Sequence, residues 1–243
     1  MNIINVENKK AILFDSGKVL NGPTTGHWFV IPSFFNYVDK EEWDRLDDAQ
    51  LREAFTKALK YVDSQPLIST REEEYTHFIE YYNILFECLD TITITNGQIK
   101  LLAYDYVYKN DKYTFFDDVK EVISKLYNHY KLAIVSDAWP SLEHIYIHAG
   151  LRNYFESFVI SSQLGTLKPA PHMYETALKE LGVTAEEAIF IDDNPKNCEG
   201  AIALGIDAVL LCRDQSSYSY YKNLNTLTVI SGLNQLEEIF LNK

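Results

Sequence analysis

The sequence predicts an α/β fold, a doubly wound parallel sheet with a helical domain inserted after its first strand. Three observations predict it. Short continuous apolar runs recur along the chain and end at polar residues, as strands buried on both faces do. Helical patterns lie between these runs, and strands alternating with helices build a parallel sheet covered on both sides. Residues 22–114 interrupt the alternation with long helical periodicities of their own.

The strands are read at 11–15 (AILFD), 131–136 (KLAIVS), 157–161 (SFVIS), 188–192 (AIFID) and 207–211 (DAVLL). Between them, DDVKEVISKLYNHY sets Val119, Val122, Ile123 and Leu126 on one face. HMYETALKELG and NPKNCEGAIALG end at Gly182 and Gly205, residues that stop helices. TLTVIS and GLNQLEEIF read as a last strand and helix, and the tyrosine-rich SSYSYYKNL at 216–224 as loop packing or an oligomer contact. In the inserted block, EEWDRLDDAQLREAFTKALKYV spaces Trp43, Leu46, Leu51, Phe55, Leu59 and Val62 as one helix would. TREEEYTHFIEYYNILFECL opens on Thr70 and Glu73, a capping box. NGQIKLLAYDYVYKN is a third helix. The expected organisation is a sheet domain of residues 1–21 and 115–243 around a helical domain of residues 22–114, with linkers near Gly22–Gly26 and Lys112–Phe116.

Composition narrows the function classes. The chain has 243 residues, 47% of them hydrophobic, enough for a substantial core. Lys plus Arg number 22 against 35 Asp plus Glu, a net charge of −13. Such an acidic surface argues against nucleic-acid backbones and anionic membranes as partners. It still allows a small anionic substrate where a few cations are placed locally. Cys88, Cys198 and Cys212 show no metal or redox spacing. The leading MNIINVENKK carries no apolar stretch, and no run of about 18 apolar residues occurs. The expectation is a cytoplasmic protein; the oligomeric state is left open.

Ligands of open parallel sheets bind at the carboxyl ends of the strands. The first strand ends in Asp15 and the second in Ser136-Asp137; the loop after the third carries Lys168-Pro169, and the fourth ends in Asp192-Asp193. One sheet edge thus collects carboxylates, a hydroxyl and a lysine. Carboxylates suit Mg²⁺, which takes oxygen ligands and keeps waters that phosphate can share. A lysine balances phosphoryl charge, and a serine can donate to a phosphate oxygen. Taken singly, each piece also reads as a cap or a turn.

As an ordered set these segments resemble the haloacid dehalogenase superfamily of hydrolases, over residues 11–20 and about 115–211. ILFDSGKVL is similar to its first motif, LAIVSDA to the second, LGTLKPAPHMYETAL to the third and IFIDDNPKNCEGAIALGI to the fourth. The helical block matches a cap inserted directly after motif one of a Rossmann-like core. The resemblance implies Asp15 as the nucleophile that forms an aspartyl-phosphate, Lys168 as the charge-neutralising lysine and Ser136 as the phosphate binder. It implies Mg²⁺ on the Asp15 carboxylate, the Gly17 carbonyl and Asp193, with Asp192 beside them. The partner so implied is a small phosphorylated metabolite, and the cap would close over it.

The chain departs from the family pattern at three places. Typical phosphatases of this kind carry an acid/base aspartate two residues after the nucleophile; here that residue is Gly17. The loss bears on proton transfer, worth roughly a hundred- to ten-thousand-fold in rate, and leaves the metal untouched, since only a backbone carbonyl is needed there. Asp137 stands where a neutral residue is frequent, and would repel phosphate unless turned away. Asn197 replaces a further acid. Lys18, His27 and Asp137 are candidate substrate contacts or replacement proton donors, though each also reads as loop surface or packing. Dehalogenation at carbon would use the same aspartate but no paired acids at 192 and 193. Two readings result: an Mg²⁺-dependent phosphatase, and a weak or inactive relative that binds a phosphorylated ligand.

Overall fold

The computed structural model describes residues 6–65 and 67–241. Its strands are β1 (Ala11–Phe14), β2 (Asn21–Pro23), β3 (Tyr113–Phe115), β4 (Lys131–Ser136), β5 (Ser157–Ile160), β6 (Ala188–Asp192), β7 (Asp207–Leu211) and β8 (Thr228–Ile230). Six of them form one sheet in the order β5-β4-β1-β6-β7-β8, and every neighbouring pair is parallel. The continuous apolar runs are the physical reason. β1 is buried at all four positions and β6 at all five, so the sheet is covered on both faces. Starting from β1 the chain builds outward to β5, then returns to the other side of β1 at β6. The strand order therefore reverses between β1 and β6, where open α/β sheets bind ligands.

The helices are α1 (Lys40–Trp43), α2 (Asp48–Asp63), α3 (Arg71–Cys88), α4 (Asn96–Tyr108), α5 (Val119–Tyr127), α6 (Ser141–His148), α7 (Ser161–Leu164), α8 (Pro171–Leu181), α9 (Pro195–Ala203), α10 (Gln215–Leu224) and α11 (Asn234–Phe240). Val119, Val122, Ile123 and Leu126 are the buried face of α5. α8 ends on Gly182 at φ 64, a left-handed cap that glycine adopts at little cost. Met173 and Tyr174 of α8 and Cys198 of α9 pack with Leu13 and Phe190 in one core of the sheet domain.

The residues divide into two compact units, 1–22 with 115–138 and 146–243, and 23–114 with 139–145. The second unit is helical and has its own core, dominated by aromatic side chains. Phe78 stacks on Tyr106 at 4.1 Å and meets Trp139 edge-on at 5.1 Å. Glu74 is fully buried here, accepting from Ser141 N at 2.7 Å and Ser141 Oγ at 2.5 Å. Lys112 Nζ donates to the same hydroxyl at 2.8 Å.

Two local readings change. The helix expected over 41–62 is broken into α1 and α2, because Asp47 accepts from Ala49 N and Gln50 N in a capping box that starts a new helix. The tyrosine-rich segment is helix α10, started by Asp214, whose carboxylate accepts from Ser217 N at 2.8 Å. All three cysteines are free thiols. Among the described residues no helix is long and apolar enough to cross a membrane.

Candidate active site

β1 runs directly into Asp15, whose amide donates to the Ile191 carbonyl at 2.9 Å and so stays in register with β6. The turn behind it is tightly pinned. Leu20 N and Asn21 N donate to Ser16 O, Lys18 N donates to Asn21 O at 2.6 Å, and Asn21 Nδ2 donates to Ser16 Oγ at 2.6 Å. Ser16 Oγ also shares a hydrogen bond with Tyr146 OH at 2.8 Å. Asp15 is consequently held on a rigid stem although only 8% exposed.

Lys168 reaches the same point from the loop after α7. Its Nζ lies 2.6 Å from Asp15 Oδ1 and 2.8 Å from Asp192 Oδ2. Ser136, at the end of β4, donates its hydroxyl to Asp15 Oδ1 at 3.0 Å. Burial by itself would drive the Lys168 ammonium toward the neutral amine. The charges of Asp15, Asp192 and Asp137 outweigh it and hold the ammonium above its ordinary range. Asp137 is committed to the loop, with Oδ1 accepting Lys168 N at 2.9 Å. The loop can lie so close because α9 carries Gly200 beneath it. A Cβ there would come within 2.5 Å of Pro169 Cβ.

Asp192 closes β6 fully buried, its Oδ1 accepting Asn194 N at 2.7 Å and its Oδ2 accepting Asn197 Nδ2 at 3.0 Å. Burial first, and then the charge of Asp15, push its carboxyl up to about 7 against the pull of Lys168. Burial also raises Asp193, which faces the Lys18 ammonium at 3.4 Å. Each of Asp15, Asp192 and Asp193 offers an oxygen within 4.8 Å of the others. An all-carboxylate donor set of this kind fits Mg²⁺, a hard cation that takes oxygen ligands.

The structure thus brings Asp15, Ser136, Lys168, Asp192 and Asp193 together at the strand-reversal point, with Gly17 and Lys18 in the turn beside them. His27 belongs to the helical unit. Its ring packs on Phe55 at 4.4 Å and its Nδ1 accepts Phe29 N at 3.2 Å, while burial lowers its pKa.

A sequence profile of the haloacid dehalogenase-like hydrolases matches residues 33–211. The chain belongs to this family. Among curated relatives, the phosphoserine phosphatase of Thermus thermophilus is 37% identical over 84 residues, 34% of this chain and 34% of its own length. The glyceraldehyde 3-phosphate phosphatase of Methanopyrus kandleri is 30% identical over 125 residues, 47% of this chain and 52% of its own. These two matches therefore span about a third and about half of the relatives. The glyceraldehyde 3-phosphate phosphatase of Methanothermobacter thermautotrophicus is 24% identical over 231 residues, 86% of this chain and 100% of its own. In fold, the chain is similar to the HAD-hydrolase YfnB of Bacillus subtilis bound to magnesium. That likeness has TM-score 0.64 and 16% identity over 95% of this chain and 98% of YfnB. It is also similar to L-2-haloacid dehalogenase from Xanthobacter autotrophicus, with TM-score 0.63 and 17% identity over 95% and 98%.

Several positioning residues escape a sequence reading. Asn21 and Tyr146 hold the motif-one turn through Ser16, and Asn197 holds Asp192. Arg213 braces the same turn, its Nη2 donating to Val19 O at 2.7 Å and to Asp118 Oδ1 at 3.0 Å. Asn197 alone had a signal, as a departure from the motif.

Proposed function

We propose that this chain is an Mg²⁺-dependent phosphohydrolase of a small phosphorylated metabolite, acting through an aspartyl-phosphate on Asp15. One observation carries the reading: a single buried lysine bridges Asp15 and Asp192 at 2.6 and 2.8 Å, with Asp193 close enough to complete a three-carboxylate site. Relatives named as phosphatases of phosphoserine, glyceraldehyde 3-phosphate and phosphoglycolate support it.

In this reading the Asp15 carboxylate attacks phosphorus, an Asp15–phosphate bond forms and the alkoxide leaves. Water then attacks that phosphorus, releasing inorganic phosphate and restoring the carboxylate. Mg²⁺ held by Asp15, Asp193 and the Gly17 carbonyl, beside Asp192, would supply charge stabilisation to the phosphoryl oxygens. Lys168 pairs with Asp15 at 2.6 Å and adds fixed positive charge where the transferring group gains negative charge. Ser136 releases its bond to Asp15 and donates to a phosphate oxygen. Asp137 is engaged by the Lys168 amide, which turns one of its oxygens away from an incoming phosphate. With no carboxylate at Gly17, the leaving oxygen needs another proton donor, and Lys18 is the candidate in the same turn. The helical unit inserted after β1 is the candidate cap, to which this reading assigns the choice of metabolite.

Phosphate release from a panel of small phosphate monoesters, measured in Mg²⁺ and in EDTA, tests this. Release in Mg²⁺ and none in EDTA is expected; equal rates would refute the metal role. Tight binding without release would favour a ligand-binding relative, the reading that Gly17 motivates. Halide release from 2-chloropropionate without metal would favour dehalogenation.

A further inference from the structure

We infer that a pocket in the sheet domain beside Asp193 receives a carboxylate on the organic part of the substrate, with Lys18 as its cationic partner. The inference deepens the phosphatase reading and rests on it. The pocket has a volume of about 440 Å³ and is lined by Lys18, Phe116, Asp193, Arg213, Ser217 and Tyr221 among others. That volume falls within the range of small-molecule sites. Asp193 belongs both to the pocket wall and to the three-carboxylate cluster. A ligand whose phosphoryl group meets the cluster can therefore extend into this space.

The charges in the wall can be assigned one by one. Arg213 is engaged by Asp118 and the Val19 carbonyl, with its guanidinium 3.9 Å from the Phe116 ring centroid. Asp214 is engaged as the cap of α10, accepting Ser217 N at 2.8 Å and Ser216 Oγ at 2.6 Å. Lys18 differs from both. Its side chain is 66% exposed and its ammonium stands 3.4 Å from Asp193, beyond the 2.7–2.9 Å of a good charge-assisted bond. Its backbone is in the left-handed region at φ 57, fixed by the bond from its amide to Asn21 O. A side chain other than Gly, Asn or Asp is uncommon in that conformation. The turn fixes the backbone from which the Lys18 side chain lines the pocket. The anion it suits is a monoanion, because Asp193 and Asp214 in the same wall would oppose a dianionic second phosphate.

Isothermal titration in Mg²⁺ with two stable phosphonates tests the assignment, since the P–C bond survives whether or not the chain hydrolyses esters. 3-Phosphonopropionate carries a carboxylate where propylphosphonate has a methyl group. Wild type is expected to bind the former at least about tenfold more tightly, the effect of one charge-assisted hydrogen bond. Lys18→Asn, whose side chain tolerates the left-handed turn, is expected to bring the ratio of affinities near one, and Lys18→Arg to retain the preference. Ser217→Trp, which fills the pocket and leaves Lys18 in place, should also abolish it. Equal affinities in wild type, no binding of either phosphonate, or a preference that survives Lys18→Asn would overturn the proposal. Tighter binding of propane-1,3-bisphosphonate would overturn the choice of a carboxylate. The phosphatase reading fails by a different result, the absence of phosphate release from every ester.

Discussion

The Lys168 ammonium lies 2.6 Å from the Asp15 carboxylate, the two side chains being 2% and 11% exposed. Asp192 holds the same ammonium at 2.8 Å, so one buried cation serves two carboxylates. Lys168→Ala should leave Asp15 and Asp192 facing each other without a cation and cost about 3–5 kcal/mol, as removing one partner of a buried pair does. Turnover should fall by roughly a hundred- to a thousandfold, the effect of a lost charge-stabilising donor. Urea melts and kcat/KM check both. A variant with wild-type kcat/KM would make Lys168 a structural residue only.

Gly200→Ala is expected to displace the Lys168 loop. The added methyl group would sit 2.5 Å from Pro169 Cβ and 3.1 Å from the Pro169 carbonyl oxygen, and overpacking of this kind costs about 1–3 kcal/mol. Because the loop delivers Lys168, kcat should fall more than the stability loss alone explains. An unchanged kcat at a temperature where the variant is fully folded would show that the loop relaxes without moving the lysine.

The carboxyl of Asp192, raised to about 7 by burial and by Asp15, sets a pH dependence. Its unfolded value is about 3.9. Between these values the native chain holds a proton that the unfolded chain has released, so metal-free stability should fall as pH rises through that window. Asp192→Asn cannot titrate. The Tm of wild type relative to this variant should therefore fall from pH 4.5 to 7.5 in EDTA, by differential scanning fluorimetry. A pH-independent difference would contradict the assignment.

Gly17→Asp probes the missing acid. The pinned turn already presents Lys18 beside Asp193, and an added carboxylate two residues from Asp15 would bring repulsion to an incoming phosphate. We expect slower hydrolysis of both alkyl and aryl phosphates. A selective gain for alkyl esters, approaching a hundredfold, would show instead that a positioned acid is what the site lacks.

In the helical unit, Glu74→Ala should cost about 3–5 kcal/mol, because Lys112 would remain buried without its counter-charge. Chemical denaturation measures it. A loss below about 1 kcal/mol would mean that water reaches the cluster.

Much of the site is legible in the sequence for a simple reason. A strand buried on both faces is a continuous apolar run, and a parallel sheet delivers every strand's carboxyl end to one edge. Asp15, Ser136, Lys168, Asp192 and Asp193 could be picked out as residues at or following such runs. The helical block could be recognised because its periodicity changes to that of a helix. Helix boundaries were less legible, since the apolar spacing of 41–62 continues across the capping box at Asp47 that divides it. What only the tertiary structure decided is which partner each polar group takes. Asp137 is 31 residues from Lys168 in sequence, Asp118 is 95 from Arg213, and Ser16 is 130 from Tyr146. Local patterns record burial and turn geometry; a hydrogen bond across such distances leaves no periodic trace, because it depends on how the strands are ordered in space.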